Sequence, residues 1–167
     1  AHVAKVNPPR GCELIPVQGE FKPDMFQKYL RENDKIVVVA PECESILHER
    51  IKQAQNTDAK VLNASLHSIA LTSNKLQTAE ILKKAGVLTP PTFSLADEKG
   101  ALELPFPRII KPIDGAGAAN TFKIKDEKSW KHISSYGCLQ NKEDFLVQPW
   151  IEGQPASICF FSHAGIT

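Results

Sequence analysis

Apolar and polar positions follow one rhythm up to about Leu71–Ser73 and another beyond it. Ala1–Lys22, with Pro8, Pro9 and Pro16, holds no sustained period and reads as loop or fragments of strand. Pro23-Asp24 opens a helix running to about Asn33, with Met25, Phe26, Tyr29 and Leu30 on one side. Lys35–Pro41 is continuously apolar, the pattern of a strand covered on both faces in a parallel sheet. A helix over about Glu44–Gln55 follows, carrying Ile46, Leu47, Ile51 and Ala54, and then a short strand at Lys60–Leu62. Strand, helix and strand within some thirty residues predict a right-handed βαβ unit.

The second rhythm is mixed. Ser65–Leu71 reads as a short helical segment, and Ser73 is the expected N-cap of a helix through Ala85, with Gly86 as its C′ residue. Pro90-Pro91 forces an extended link into a strand at Thr92–Leu95, and Asp97–Leu104 reads as a charged helix or turn. Pro107–Ile110 and the alternating Thr121–Lys125 read as two strands around a small-residue loop. Asp126–Tyr136 predicts a helix with Trp130 and Ile133 inward, ended by Gly137, and Asp144–Gln148 and Ala156–Phe161 predict two more strands. The expected fold class is therefore α/β: a partial parallel α/β lobe (1–72), then an α+β lobe with antiparallel strands (73–167).

The formal net charge of +1 leaves no global field to recruit nucleic acid or an anionic membrane, so any basic function is local. No apolar run approaches the roughly 18–20 residues of a membrane span, and the start of the chain lacks a signal-peptide core, which predicts a cytoplasmic protein. Cys12, Cys43, Cys138 and Cys159 are scattered without Cys-x-x-Cys spacing and are expected to be free thiols. The histidines are equally dispersed, and His48-Glu49-Arg50 lacks the second histidine of a zinc helix.

The chemistry concentrates in Lys111–Phe122, Lys-Pro-Ile-Asp-Gly-Ala-Gly-Ala-Ala-Asn-Thr-Phe. Gly and Ala let the backbone approach a ligand and aim its amides at an anion, and a lysine beside them supplies a mobile point charge. A Walker A loop would need Gly-Lys-Ser/Thr opening a helix, and a dinucleotide fingerprint would need a helix after its glycines. A strand follows instead. The fitting geometry is a flexible hairpin folded over phosphates with the lysine on the strand before it, set against an ordinary Gly-rich hairpin with a solvated lysine.

Asn74-Lys75 opening a helix, Gly86-Val-Leu-Thr-Pro90, Ile109-Ile-Lys111-Pro112, Asp114-Gly-Ala-Gly117 and Phe145–Gly153 occur in an order that resembles the N-terminal half of the ATP-grasp superfamily. Val39–Glu42, Asn63–Ser65 and Pro155–Ser157 look closer to its tyramine–glutamate ligase-like branch. The resemblance covers about Lys35–Phe161. It implies a pre-ATP-grasp lobe over 1–72 that supports the cleft, and the first part of the ATP-grasp lobe over 73–167. It further implies that Lys75 and Lys111 reach the phosphates of ATP, and that Gly115, Ala116 and Gly117 form a lid over the β- and γ-phosphates. Gln148, Pro149, Trp150 and Ile151 would form the hinge that reads the adenine edge. An acid that binds ribose in many members is replaced here by Pro155, so Glu152 is the expected substitute.

The implied activity is an ATP-dependent carboxylate–amine (or thiol) ligase acting through an acyl phosphate on small-molecule acid and amine substrates. It leaves a homodimer open, and no side-chain nucleophile is implied. Mg²⁺ ligands are expected beyond Thr167. With no initial methionine and an end directly after a strand-like run, the chain is expected to be a fragment that lacks the metal-binding sub-lobe and does not turn over. The alternatives are a non-catalytic nucleotide-binding regulatory module and a plain α/β interaction domain.

Overall fold

A computed structural model describes residues 10–13, 15, 23–135 and 137–158. The first lobe begins with helix α1 (Pro23–Arg31) and strand β1 (Lys35–Ile36). Helix α2 (Ile46–Gln55) and strand β2 (Lys60–Val61) complete the βαβ unit. β1 and β2 pair in parallel, Lys35 opposite Lys60 and Ile36 opposite Val61, as the pattern predicts. Leu30, Val38, Ile51, Ala54 and Ile69 form the buried cluster beneath them. Each aliphatic side chain taken out of water there contributes about 1.5–3 kcal/mol.

Two expectations for this lobe fail. The apolar run Lys35–Pro41 is a ladder for only two residues, because the Asn63 side chain takes over both backbone groups of Val38, at 2.8 Å each. Nor is the run covered on both faces: Val38 is buried, whereas Val37 is 51% and Val39 93% exposed. The helix expected from Glu44 starts later, because Glu44 and Ser45 take left-handed backbone (φ 54° and 58°) in a short 3-10 turn, and Ile46 is exposed.

Helix α3 (Leu66–Ser73) is capped by Ser65, whose hydroxyl accepts the Ser68 N–H at 3.1 Å. Helix α4 (Lys75–Lys84) follows after a single residue. Its N-cap is Asn74, not Ser73: Asn74 has extended backbone and its Oδ1 accepts the Gln77 N–H at 2.9 Å, while Ser73 ends α3 and donates to the Ile69 carbonyl. At the other end Gly86 (φ 72°) closes α4 as expected, with Val87 N–H on the Leu82 carbonyl and Gly86 N–H on the Lys83 carbonyl, the paired bonds of a Schellman cap.

The second lobe is a four-stranded antiparallel sheet of β3 (Phe93–Ser94), β4 (Arg108–Pro112), β5 (Phe122–Ile124) and β6 (Phe145–Pro149), in the order β3-β6-β4-β5. Helices α5 (Glu98–Glu103) and α6 (Glu127–Ser135) complete it. Leu95, Ala101, Leu104, Ile110, Ile124, Leu139, Phe145 and Val147 make its core, with Trp130 and Ile133 of α6 packed against them as their spacing predicts. The strand expected at Ala156–Phe161 is not formed over 156–158, and its remainder lies outside the described residues, as do Tyr136, Cys159 and most of Ala1–Lys22.

Candidate functional site

Strand alternation decides what the sheet presents to each side. In β4, Arg108 and Ile110 point into the core, and Ile109 and Lys111 onto the opposite face. Register then places Gln148 opposite Ile109, Leu146 opposite Lys111, and Lys123 opposite Ile109 on its other side. Lys111, Ile109, Gln148 and Lys123 therefore share one face.

Beyond β4 the chain turns through 113–121 before returning as β5. This loop needs its glycines: Gly115 has φ 146° and Gly117 φ 67°, and Ala118 (58°) and Asn120 (51°) also take left-handed backbone. Left-handed conformation costs an alanine about 1–2 kcal/mol. Such strain persists only where surroundings enforce it, and it concentrates at ligand clamps. The enforcement is visible. Lys75 donates its backbone N–H to the Ile113 carbonyl at 3.1 Å and its ammonium to the Gly115 and Ile113 carbonyls at 2.7 and 3.3 Å. On the far side Asp114 Oδ2 accepts the Glu44 N–H at 2.9 Å, tying the loop to the first lobe.

Lys75, Lys111 and residues 115–119 line a common cavity of about 360 Å³. Burial lowers the Lys111 pKa from its ordinary value, and the nearby positive charge of Lys75 lowers it further. Among the described residues neither lysine makes an ion pair. Two like charges in one half-buried cavity with no carboxylate between them make a site that favours an anion.

The candidate hinge lies at the other end of β4, three residues and about 10 Å from Lys111 at the usual strand rise. Pro149 is opposite Arg108, and Trp150 N–H donates to the Pro107 carbonyl at 2.9 Å. The Gln148 side chain donates to Thr92 Oγ1 at 2.7 Å, and Ile151 is exposed. The Glu152 carboxylate accepts the Trp150 indole N–H and pairs with Lys123 at 3.5 Å. The Lys123 ammonium also sits 3.6 Å from the centroid of the Trp150 ring. Lys75, Lys111 and Gly115–Gly117 thus come together at one end of the face, and Gln148–Glu152 gather at the other. Lys123, which links the two strands at the hinge end, was not among the expected site residues. The alternation in Thr121–Lys125 carried the signal, since it puts Lys123 on the face away from the buried Ile124.

Among the described residues no group of three or more His, Cys, Asp or Glu side chains could hold a metal ion. No helix among them is long and apolar enough to cross a membrane.

Two family models match the chain: a pre ATP-grasp 3 domain over residues 2–69 and an ATP-grasp domain over residues 72–166. The D-alanine–D-alanine ligase of Francisella tularensis subsp. holarctica is 28% identical over 157 residues, covering 89% of this chain and 46% of its own length. The chain thus spans about half the length of the curated relatives it matches. Among solved structures, the D-alanine–D-alanine ligase of Bacillus anthracis superposes with a TM-score of 0.57 at 16% identity, over 84% of this chain and 47% of that one. The biotin carboxylase domain of the Hydrogenobacter thermophilus 2-oxoglutarate carboxylase, solved with MgADP, ADP and bicarbonate, gives 0.57 at 18% identity over 77% and 30%. At these identities the two structures establish a shared fold.

Proposed function

This chain belongs to the ATP-grasp superfamily, and from that premise we propose that the lysine–glycine cavity receives the triphosphate of ATP. The reading rests above all on one observation: two ammonium groups without a counter-ion and a strained glycine loop surround the same 360 Å³ space.

In this reading Lys111 and Lys75 neutralise the β- and γ-phosphates, and Gly115, Ala116 and Gly117 turn amides toward them once Lys75 exchanges its carbonyl partners for phosphate oxygens. The backbone of Gln148–Ile151 reads the adenine edge, and Glu152, held by Lys123 and Trp150, is set to accept from the ribose hydroxyls. The lobes are taken as 1–72 and 73–167. The whole protein is then an ATP-dependent ligase: an oxygen of a substrate carboxylate attacks the γ-phosphorus, ADP leaves, and an amine displaces phosphate from the acyl phosphate to form an amide. This chain contributes positioning, charge neutralisation and exclusion of water. The described residues hold no group of three or more His, Cys, Asp or Glu side chains for a metal ion, and no step is routed through Mg²⁺.

The finer placement in the tyramine–glutamate ligase-like branch rests on Val39–Glu42, Asn63–Ser65 and Pro155–Ser157, and Asn63 has a structural task of its own in holding Val38. The second reading is a nucleotide-binding module without turnover. Calorimetric titration of the chain with ATP tests the site: saturable binding that weakens in Lys111→Met supports it, and no binding at millimolar ATP rejects it. ADP release in the presence of a panel of amino-acid carboxylates separates ligase from module.

A further inference from the structure

The side chain of Gln148, at the start of the hinge segment, is held in one orientation by its neighbour across the sheet. Gln148 stands opposite Ile109 on the face that carries Lys111, and Ile109 lines the nucleotide cavity. Thr92 immediately precedes β3, and the antiparallel pairing of Phe93 with Val147 brings it alongside Gln148. Gln148 Nε2 donates to Thr92 Oγ1 at 2.7 Å, and Thr92 Oγ1 donates in turn to the Pro90 carbonyl at 2.9 Å.

This two-step chain has a direction. A threonine hydroxyl carries one proton and two lone pairs. With the proton on Pro90 the oxygen can only accept, so the Gln148 amide turns its NH₂ group toward Thr92. Reversing the amide would draw the proton away from Pro90, whose carbonyl has no other donor among the described residues. The anchor is itself stiff: the Pro90 ring fixes its φ, and standing before Pro91 confines it to extended backbone.

The carbonyl end of the amide is thereby left over. Gln148 Oε1 takes no hydrogen bond among the described residues, and Gln148 is only partly buried. A tie between β3 and β6 would be served by either orientation of the amide. A fixed orientation matters to a ligand whose edge must meet an acceptor and not a donor. The six-position of a purine is such an edge, because adenine carries an amino group that donates there, and hypoxanthine or guanine an oxo group that accepts.

We propose that Thr92 is a specificity-determining positioning residue of the nucleotide site: it locks the Gln148 amide with Oε1 turned away from Thr92, as an acceptor for the exocyclic amino group of adenine that repels a 6-oxopurine. This rests on the ATP reading and adds a side-chain selection of the base to the contacts of the hinge backbone. A 6-oxo base would either set two acceptor oxygens against each other or turn the amide over and forfeit both hydrogen bonds of the chain.

Calorimetric titration with ATP and with inosine triphosphate (ITP) tests the assignment. The hinge backbone also tells the two bases apart at N1, equally in every variant, so the readout is the change in the ATP-to-ITP affinity ratio. Thr92→Val keeps the shape, removes the hydroxyl and frees the amide to turn, and it should lower that ratio about tenfold, chiefly by improving ITP. Thr92→Ser should keep the ratio. Gln148→Glu added to Thr92→Val should restore it, because a carboxylate presents only acceptors whichever way it turns, whereas a purely structural bridge would not be rescued in this way. Should Thr92→Val not fold, Gln148→Leu decides, since loss of the acceptor removes the same preference. An unchanged ratio in Thr92→Val or Gln148→Leu, or no rescue by Gln148→Glu, would overturn the proposal and leave the ATP site standing. No binding of ATP by the unaltered chain would reject the nucleotide site, and the role of Thr92 with it.

Discussion

Replacing Lys111 by methionine keeps the aliphatic stem on the sheet and removes only the charge. In the ATP reading that ammonium makes a charge-assisted hydrogen bond to a phosphate oxygen from a half-buried position. Such bonds contribute about 1.5–3 kcal/mol, so ATP affinity should fall roughly 10- to 150-fold at 1.4 kcal/mol per decade. AMP, which lacks the β- and γ-phosphates, should lose much less. The free protein should not be weakened, because the charge lost is desolvated and sits near Lys75. The pH dependence has a definite sign. The folded pKa of Lys111 lies below its unfolded value, so in the window between them, below the ordinary lysine value of 10.5, the unfolded chain binds more protons. This group therefore makes stability rise with pH across that window, and the rise should be missing from Lys111→Met. Calorimetry with ATP and AMP, with urea unfolding at several alkaline pH values, measures all three. Unchanged ATP affinity, or equal losses for ATP and AMP, would refute the assignment of Lys111 to the distal phosphates.

Gly115→Ala should destabilise the chain by about 1–3 kcal/mol through backbone strain at φ 146°, since its Cβ would meet Pro112 only at an ordinary 3.6 Å. Gly117→Ala, at φ 67° with nothing within 4 Å, should cost less, about 1–2 kcal/mol, and urea unfolding compares the two. Gly100→Ala should cost about 1–3 kcal/mol or more by overpacking, because its Cβ would overlap the Phe93 ring edge and stand 2.9 Å from Asp97 Oδ2; thermal unfolding reads this directly. Asn74→Ala should lose an N-cap worth about 1 kcal/mol, and if Ser73→Ala costs more in the same unfolding assay, the capping assignment is wrong.

Much of the fold was legible because its signals are local. Gly86 needs no distant partner to close α4, and the alternation of Thr121–Lys125 announces β5 within its own five residues. The order of Lys75, Lys111, the glycine loop and Gln148–Glu152 carried the family, because spacing along a chain survives when individual side chains change. What the sequence could not settle depends on residues far apart. The run Lys35–Pro41 reads as doubly covered, yet a side chain 25 residues away ends its ladder at Val38, and Val39 stands in solvent. Lys75 reads as a free phosphate ligand, yet its ammonium grips carbonyls 38 and 40 residues downstream. Arg108 sits in a strand between apolar neighbours, and only the packing of α6 and Phe106 around it leaves a buried charge beside a cavity. Propensity and capping act over about one helical turn, whereas burial, counter-charge and register are set by whichever segments the sheet brings alongside, and those only the tertiary structure chooses.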